Sequence, residues 1–254
     1  MTTRRRLLLF DIDGTLLDTA GAGLDSLRDG FFDAFPETCG RPFPPLELGG
    51  ATDGGVAMHL FAHFGIDDSP PHRARFFECY TRCLHDRLNP PQDSMPGTKP
   101  FAPSGDRPGP DARLLPGVAM LLDRLAADRG KRLAVLTGNL RHGAAIKLRR
   151  FRIDHHFPTG AYGDDHHDRN RLGPIALRRA REAFGEDFAP GDAVVIGDTP
   201  RDIACARALG AVAIAVATGA ATRQSLLAAR PDAFLQDLSD LALACAAIDA
   251  AAPS

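Results

Sequence analysis

The chain has 254 residues, enough for one large core or a core with a smaller insert, and its 44% hydrophobic and 24% charged residues are ordinary for a globular protein. A formal net charge of -2 leaves no electrostatic case for nucleic acid or an anionic membrane as a partner. The five cysteines are scattered, which predicts a reduced, cytoplasmic protein rather than a disulfide framework.

The segment MTTRRRLLLFDIDG carries an apolar run over residues 7–10 that stops at Asp11. It is too short for a signal sequence or a membrane span and predicts a buried strand. Further runs at 132–136, 193–196 and 212–216 end at Thr137, at Gly197 with Asp198, and at Thr218 with Gly219. Their unbroken apolar character suits strands covered on both faces, as in a parallel sheet. Helical patterns at 117–129, 175–184 and 202–209 alternate with them. Strand and helix in alternation predict an α/β fold with a doubly wound parallel sheet.

The interval between the first two runs is far longer than one crossover helix needs. Leu24, Leu27 and Phe31 follow helical spacing within it, as do Met58, Phe61 and Ala62, and then Phe76, Phe77, Tyr80 and Leu84. Residues 19–88 are therefore expected to form an inserted α-helical domain. Residues 89–114 are dense in Pro and Gly and predict a linker back to the core, which would comprise 1–18 and 115–254. The Ala-rich run at the C-terminus predicts an amphipathic helix that packs on the sheet or serves a dimer, so the protein is expected as a monomer or homodimer.

Ligands of an open parallel sheet bind beyond the carboxyl ends of its strands. The polar residues just past the first three runs are Asp11 and Asp13, then Thr137, Gly138 and Asn139, then Asp198 and Asp202. Carboxylates gathered there repel unless a hard cation sits among them, and oxygen ligands of this kind suit Mg²⁺. DxDGT alone reads equally well as a turn. TGN and GDTPxxD, each following an apolar run in the same order, make a purely structural reading improbable.

FDIDGTLLD, VLTGN and VVIGDTPRD resemble motifs I, II and IV of the haloacid dehalogenase-like hydrolase superfamily, most of whose members are phosphatases. The helical insert falls where its phosphoglycolate phosphatase-like subgroup carries a mobile cap. The resemblance implies that Asp11 attacks phosphorus and forms an aspartyl phosphate. Asp13 would protonate the leaving alcohol, deprotonate the incoming water and lend its carbonyl to the metal. Gly14 and Thr15 would shape the turn, and Thr137 would bind a phosphoryl oxygen beside the N–H groups near Gly138 and Asn139. Asp198 would bind Mg²⁺, and Asp202 would bind it directly or through water.

The superfamily also supplies a cation, usually Lys, ahead of motif IV. This sequence offers Arg169 and Arg171. Lys147 is held in reserve, because eight residues past Asn139 it would lie about 12 Å along a helix from the strand edge. An acid at Asp13 points to phosphoryl transfer rather than halide displacement. The substrate implied is a small phosphorylated metabolite. A phosphomutase resembling β-phosphoglucomutase and a non-catalytic binding protein are the alternatives. In the insert, Thr52 and Asp53 of GGATDGG are candidate substrate contacts or, equally, helix caps. The cluster Asp164, Asp165, His166, His167 and Asp168 reads as a polar loop, because neighbours on an extended chain point apart.

Overall fold

The computed structural model describes residues 5–90 and 112–250. Strand β1 (Arg6–Phe10) leads into a two-residue strand, β2 (Leu17–Asp18), and then into helices α1 (Ala22–Ala34), α2 (Asp53–Phe64) and α3 (Pro70–Leu88). There follow β3 (Arg113–Leu114), α4 (Val118–Ala126), β4 (Lys131–Leu136), α5 (Arg141–Arg150), β5 (Gly160–Ala161) and α6 (Leu172–Phe184). The chain closes with β6 (Ala193–Gly197), α7 (Pro200–Leu209), β7 (Val212–Val216), α8 (Arg223–Ala228), β8 (Ala233–Leu235) and α9 (Leu241–Ala250).

The four apolar runs form the centre of a six-stranded sheet in the order β5-β4-β1-β6-β7-β8, and every pairing in it is parallel. Side chains alternate between its faces. Leu8 and Phe10 join Val135, Val194 and Ile196 under α4 and α9, where Leu121, Leu125 and Ile248 are buried. Leu7 and Leu9 join Ala134, Leu136 and Val195 under α6 and α7, where Ala176, Ile203 and Leu209 pack. Each run is apolar throughout because both faces are covered. This is the doubly wound α/β fold, and β1 sits at its centre, where connections leave to either side.

The helices α1, α2 and α3 lie between β2 and β3, which pair as a short antiparallel ribbon (Leu17 with Leu114, Asp18 with Arg113). They enclose an apolar cluster of their own, joined by Leu140 and Ile146 from the α5 segment. Phe31 is at its centre, with ring centroids 4.8 Å from Phe64, 5.1 Å from Phe35 and 5.4 Å from Phe76. The buried face of α2 differs from the expected one. Val56, Ala57, Leu60, Phe61 and Phe64 face inward, while Met58 is 40% exposed and Ala62 is also outward. Both stripes contain Phe61, but the observed one removes Leu60 and Phe64 from water, a larger apolar area than Met58 and Ala62 offer.

Most of the expected linker, residues 91–111, lies outside the described residues, and Arg113–Leu114 near its end are strand. The C-terminal helix packs on the sheet through Ala244 and Ile248. Among the described residues no helix is long and apolar enough to cross a membrane.

Truncating the ring at the centre of this aromatic cluster leaves a hole that its neighbours fill only in part. Phe31→Ala is expected to lower the stability of the helical unit by about 3–5 kcal/mol, read from urea unfolding. A loss below about 1 kcal/mol would contradict close packing there.

Candidate active site

Asp11 leaves the end of β1 with its N–H donating to the Ile196 carbonyl at 3.0 Å, which places it between β4 and β6. The chain then turns sharply: the N–H groups of Thr15, Leu16 and Leu17 converge on the Ile12 carbonyl. Gly14 has φ 78°, a left-handed conformation that costs glycine little. Thr15 Oγ1 donates to Asp198 Oδ1 at 3.0 Å, and Thr218 Oγ1 donates to the Gly14 carbonyl at 2.6 Å. The turn after β1 is thereby tied to the ends of β6 and β7.

Thr137 follows β4 and is fully buried, with its Oγ1 accepting from Asn139 N at 3.3 Å and from Asn139 Nδ2 at 2.9 Å. Asp198 follows β6. Two residues later α7 begins, with Thr199 as its cap, Pro200 in its first turn and Asp202 closing a reciprocal capping box. Asp202 Oδ2 accepts from Thr199 N at 3.0 Å and from Thr199 Oγ1 at 2.6 Å, while its Oδ1 accepts from Arg169. The motif TPRD is thus a helix start that also aims a carboxylate inward.

Arg169 is the cation that reaches Asp11. It stands in a short 3-10 turn before α6, with Nη2 3.1 Å from Asp11 Oδ1 and also bonded to Asp202. Burial works against its charge, but Asp11 and Asp202 outweigh it and hold the guanidinium above its ordinary value. Burial raises the Asp11 carboxyl above the usual carboxylate range, with Arg169 pulling it back and Asp202 pushing further. Asp198 is also raised, first by burial and then by Asp11 and Asp202. Arg171, the other arginine considered, is exposed and does not line the site.

Lys147 corrects the expectation from helical rise. It is buried on α5, with Nζ 2.6 Å from Asp13 Oδ2 and 2.6 Å from Asn139 Oδ1. Asn139 Nδ2 reaches the same Asp13 oxygen at 2.7 Å. Side chains on a helix lean toward its N-terminus, and the long lysine stem reaches back over the preceding turn to the strand edge. Asp13 is therefore held by a lysine and an amide, and Asp11 by an arginine.

Thr52 caps α2, accepting from Gly55 N at 3.0 Å, and its hydroxyl donates to the His167 carbonyl at 2.6 Å. Asp53 begins α2. Its N–H donates to the Gly138 carbonyl at 2.7 Å and its Oδ2 accepts from Leu140 N at 2.8 Å, so it joins the helical insert to the loop after β4. Burial raises its carboxyl to about 6 against the pull of Lys147. The Asp164–Asp168 cluster disperses: Asp164 accepts from Arg141 N, Asp165 pairs with Arg179, and Asp168 caps the turn that carries Arg169.

Asp11, Asp13, Asp53, Asn139, Lys147, Arg169 and Asp198 line one cavity of about 450 Å³ between the sheet edge and the helices. Tyr80, Thr218 and Gly219 line it too, and none of them stood out in the sequence as a site residue. Thr218 and Gly219 follow the fourth apolar run, and that position was the signal. Tyr80 sits in a helical stripe that reads as core.

The Asp11, Asp198 and Asp202 groups each offer a carboxylate oxygen within 4.8 Å of the others. A Cβ on Gly14 or on Gly219 would overlap the Asp198 carboxylate, so bare backbone bounds it on both sides. Buried carboxylates outnumbering their one arginine, with oxygen donors only, fit a hard divalent cation.

The chain belongs to the haloacid dehalogenase-like hydrolase family, whose model matches residues 8–207. A phosphoglycolate phosphatase from Synechococcus elongatus is 35% identical over 135 residues, a match spanning 52% of this chain and 59% of that protein. The fold is similar to that of a hydrolase from Pseudomonas syringae, at 19% identity over 96% of this chain and 99% of that one, with a TM-score of 0.66. It is also similar to CbbY from Rhodobacter sphaeroides, solved in complex with phosphate, at 22% identity, 93% and 96% coverage and a TM-score of 0.64.

A carboxyl raised by burial keeps its proton in the folded protein at pH values where the unfolded chain has lost it. Without metal the folded state holds more protons from about pH 4 upward, so its stability falls as pH rises from there towards neutrality. The melting temperature of chelator-treated protein is expected to fall between about pH 5 and 7.5, and Asp198→Asn to flatten that slope. Added divalent cation should raise the melting temperature most at the higher pH. A slope of the opposite sign would contradict the burial of these groups as carboxyls.

Proposed function

We propose that this protein is a Mg²⁺-dependent phosphatase that hydrolyses a small phosphorylated metabolite through an aspartyl phosphate on Asp11. One observation carries the reading: Asp11, Asp13, Thr137 and Asp198 meet at the ends of three adjacent central strands, with Arg169 on Asp11. The phosphoglycolate phosphatase relative supports the reaction class.

Asp11 attacks phosphorus in line, forming an Asp11–phosphorus bond as the bond to the alcohol oxygen breaks. Asp13, held by Lys147 and Asn139, gives its proton to that oxygen. It then takes a proton from water, whose oxygen attacks phosphorus and breaks the Asp11–phosphorus bond. Thr137 Oγ1 and the N–H groups near Gly138 and Asn139 bind phosphoryl oxygens, and Arg169 offsets their charge while orienting Asp11. Asp11, the Asp13 carbonyl and Asp198 would hold Mg²⁺, which would supply positive charge against the phosphoryl group and the Asp11 carboxylate. Asp202 holds Arg169.

In this reading residues 1–18 and 115–254 are the core, and the helices of 19–88 are a cap that excludes water. The Asp53 contacts with Gly138 and Leu140 are its seat. The setting is cytoplasmic.

The test is hydrolysis of p-nitrophenyl phosphate and of a panel of small phosphomonoesters, with and without Mg²⁺. Activity is expected to require Mg²⁺ and to vanish with chelator, and Asp11→Asn to lower kcat by roughly 10³-fold or more. Undiminished hydrolysis by Asp11→Asn would overturn the assignment.

A further inference from the structure

The walls of the cavity beyond the phosphoryl position are of two kinds. Leu24 and Leu27 of α1, Leu48 of the loop and Val56 of α2 make its apolar side. Leu24 is 43% exposed although large and apolar, and this cavity is where it faces. The polar side is acidic: Asp11, Asp13, Asp18, Asp53 and Asp198 all line it.

The cations lining it are Arg169 and Lys147, and both are committed. Arg169 is bonded to Asp11 and Asp202. Lys147 Nζ lies 2.6 Å from Asp13 and 2.6 Å from Asn139. Asp18 stands 3.3 Å from Arg113, but both side chains are largely exposed and the pair is weak. Asp53, half-buried on the cap side, is bonded to a backbone N–H, and the cation that acts on it is the lysine that Asp13 already holds.

A phosphoryl dianion would be matched in this cavity by backbone N–H groups and by a divalent cation, with Arg169 shared between it and the carboxylates that already hold that guanidinium. A second anion, carried on the leaving group, would meet Asp13 and Asp53 in a partly desolvated space, with no uncommitted cation among the described residues that line it. We propose that the leaving group of the substrate is a compact, uncharged alcohol, and that the site rejects a carboxylate or a second phosphate on it. Asp53 is the residue that sets this preference. The proposal rests on the phosphatase reading and narrows it. It separates this chain from the substrate named for its Synechococcus relative and from a mutase that requires a sugar bisphosphate.

Two esters of nearly equal size test it with Mg²⁺ present: 2-phosphoglycolate, and 2-hydroxyethyl phosphate, in which a hydroxymethyl group replaces the carboxylate. p-Nitrophenyl phosphate serves as the reference. The ratio of kcat/KM is expected to favour 2-hydroxyethyl phosphate by about ten-fold or more. Where turnover of either is too slow to read, the Ki of each against p-nitrophenyl phosphate is expected in the same order. Asp53→Asn keeps an oxygen to accept from Leu140 N–H and removes the charge, so the ratio should narrow several-fold through the phosphoglycolate term. Equal or better use of 2-phosphoglycolate would overturn the proposal while leaving the phosphatase reading intact, and an unchanged ratio in Asp53→Asn would overturn the role of that residue. If no ester, p-nitrophenyl phosphate included, is hydrolysed, the phosphatase reading falls and the proposal falls with it.

Discussion

Three carboxylates, Asp11, Asp198 and Asp202, are buried within reach of one another at the edge of a parallel sheet, and much of the structure answers the repulsion between them. Burying like charges together is costly, and a single arginine cannot neutralise three of them. Arg169 takes two, bonding to Asp11 and Asp202. Asp198 is left with the Thr15 hydroxyl and a space bounded by bare glycine backbone. A divalent cation in that space would balance the site. The same shortage of uncommitted positive charge bears on what the cavity accepts beyond the phosphoryl group.

The residues that end the central strands were legible in the sequence because each follows an unbroken apolar run. Asp11, Thr137 and Asp198 needed only the rule that parallel sheets present their carboxyl ends to ligands. The edge strands Gly160–Ala161 and Ala233–Leu235, and the ribbon of Leu17–Asp18 with Arg113–Leu114, are too short to carry a pattern. Arg169 and Arg171 are two residues apart in one turn, and composition cannot say which faces inward.

Lys147 was misplaced for a different reason. Counting residues along a helix measures where a backbone atom lies, whereas a lysine acts at the end of a long stem. From α5 that stem runs back along the helix to Asp13 and Asn139. The face of α2 shows the same limit: two stripes shared Phe61, and the larger apolar area of Leu60 and Phe64 decided between them. Periodicity names a helix more securely than it names the side that is buried.

The helices and the sheet edge are joined at the site itself. Asp53 bonds to the loop after β4 through both its N–H and its carboxylate, and Thr52 bonds to the loop that leads to Arg169. The start of α2 is therefore tied to two loops at the sheet edge through two adjacent residues. The claim on which the rest depends is that Asp11 becomes covalently bonded to phosphorus. Borohydride added to enzyme turning over a phosphomonoester with Mg²⁺ reduces an acyl phosphate to an alcohol, and peptide mass spectrometry locates the change. Homoserine is expected at position 11, formed only when both substrate and Mg²⁺ are present; reduction at another residue, or none at all while the ester is being hydrolysed, would contradict a bond between Asp11 and phosphorus.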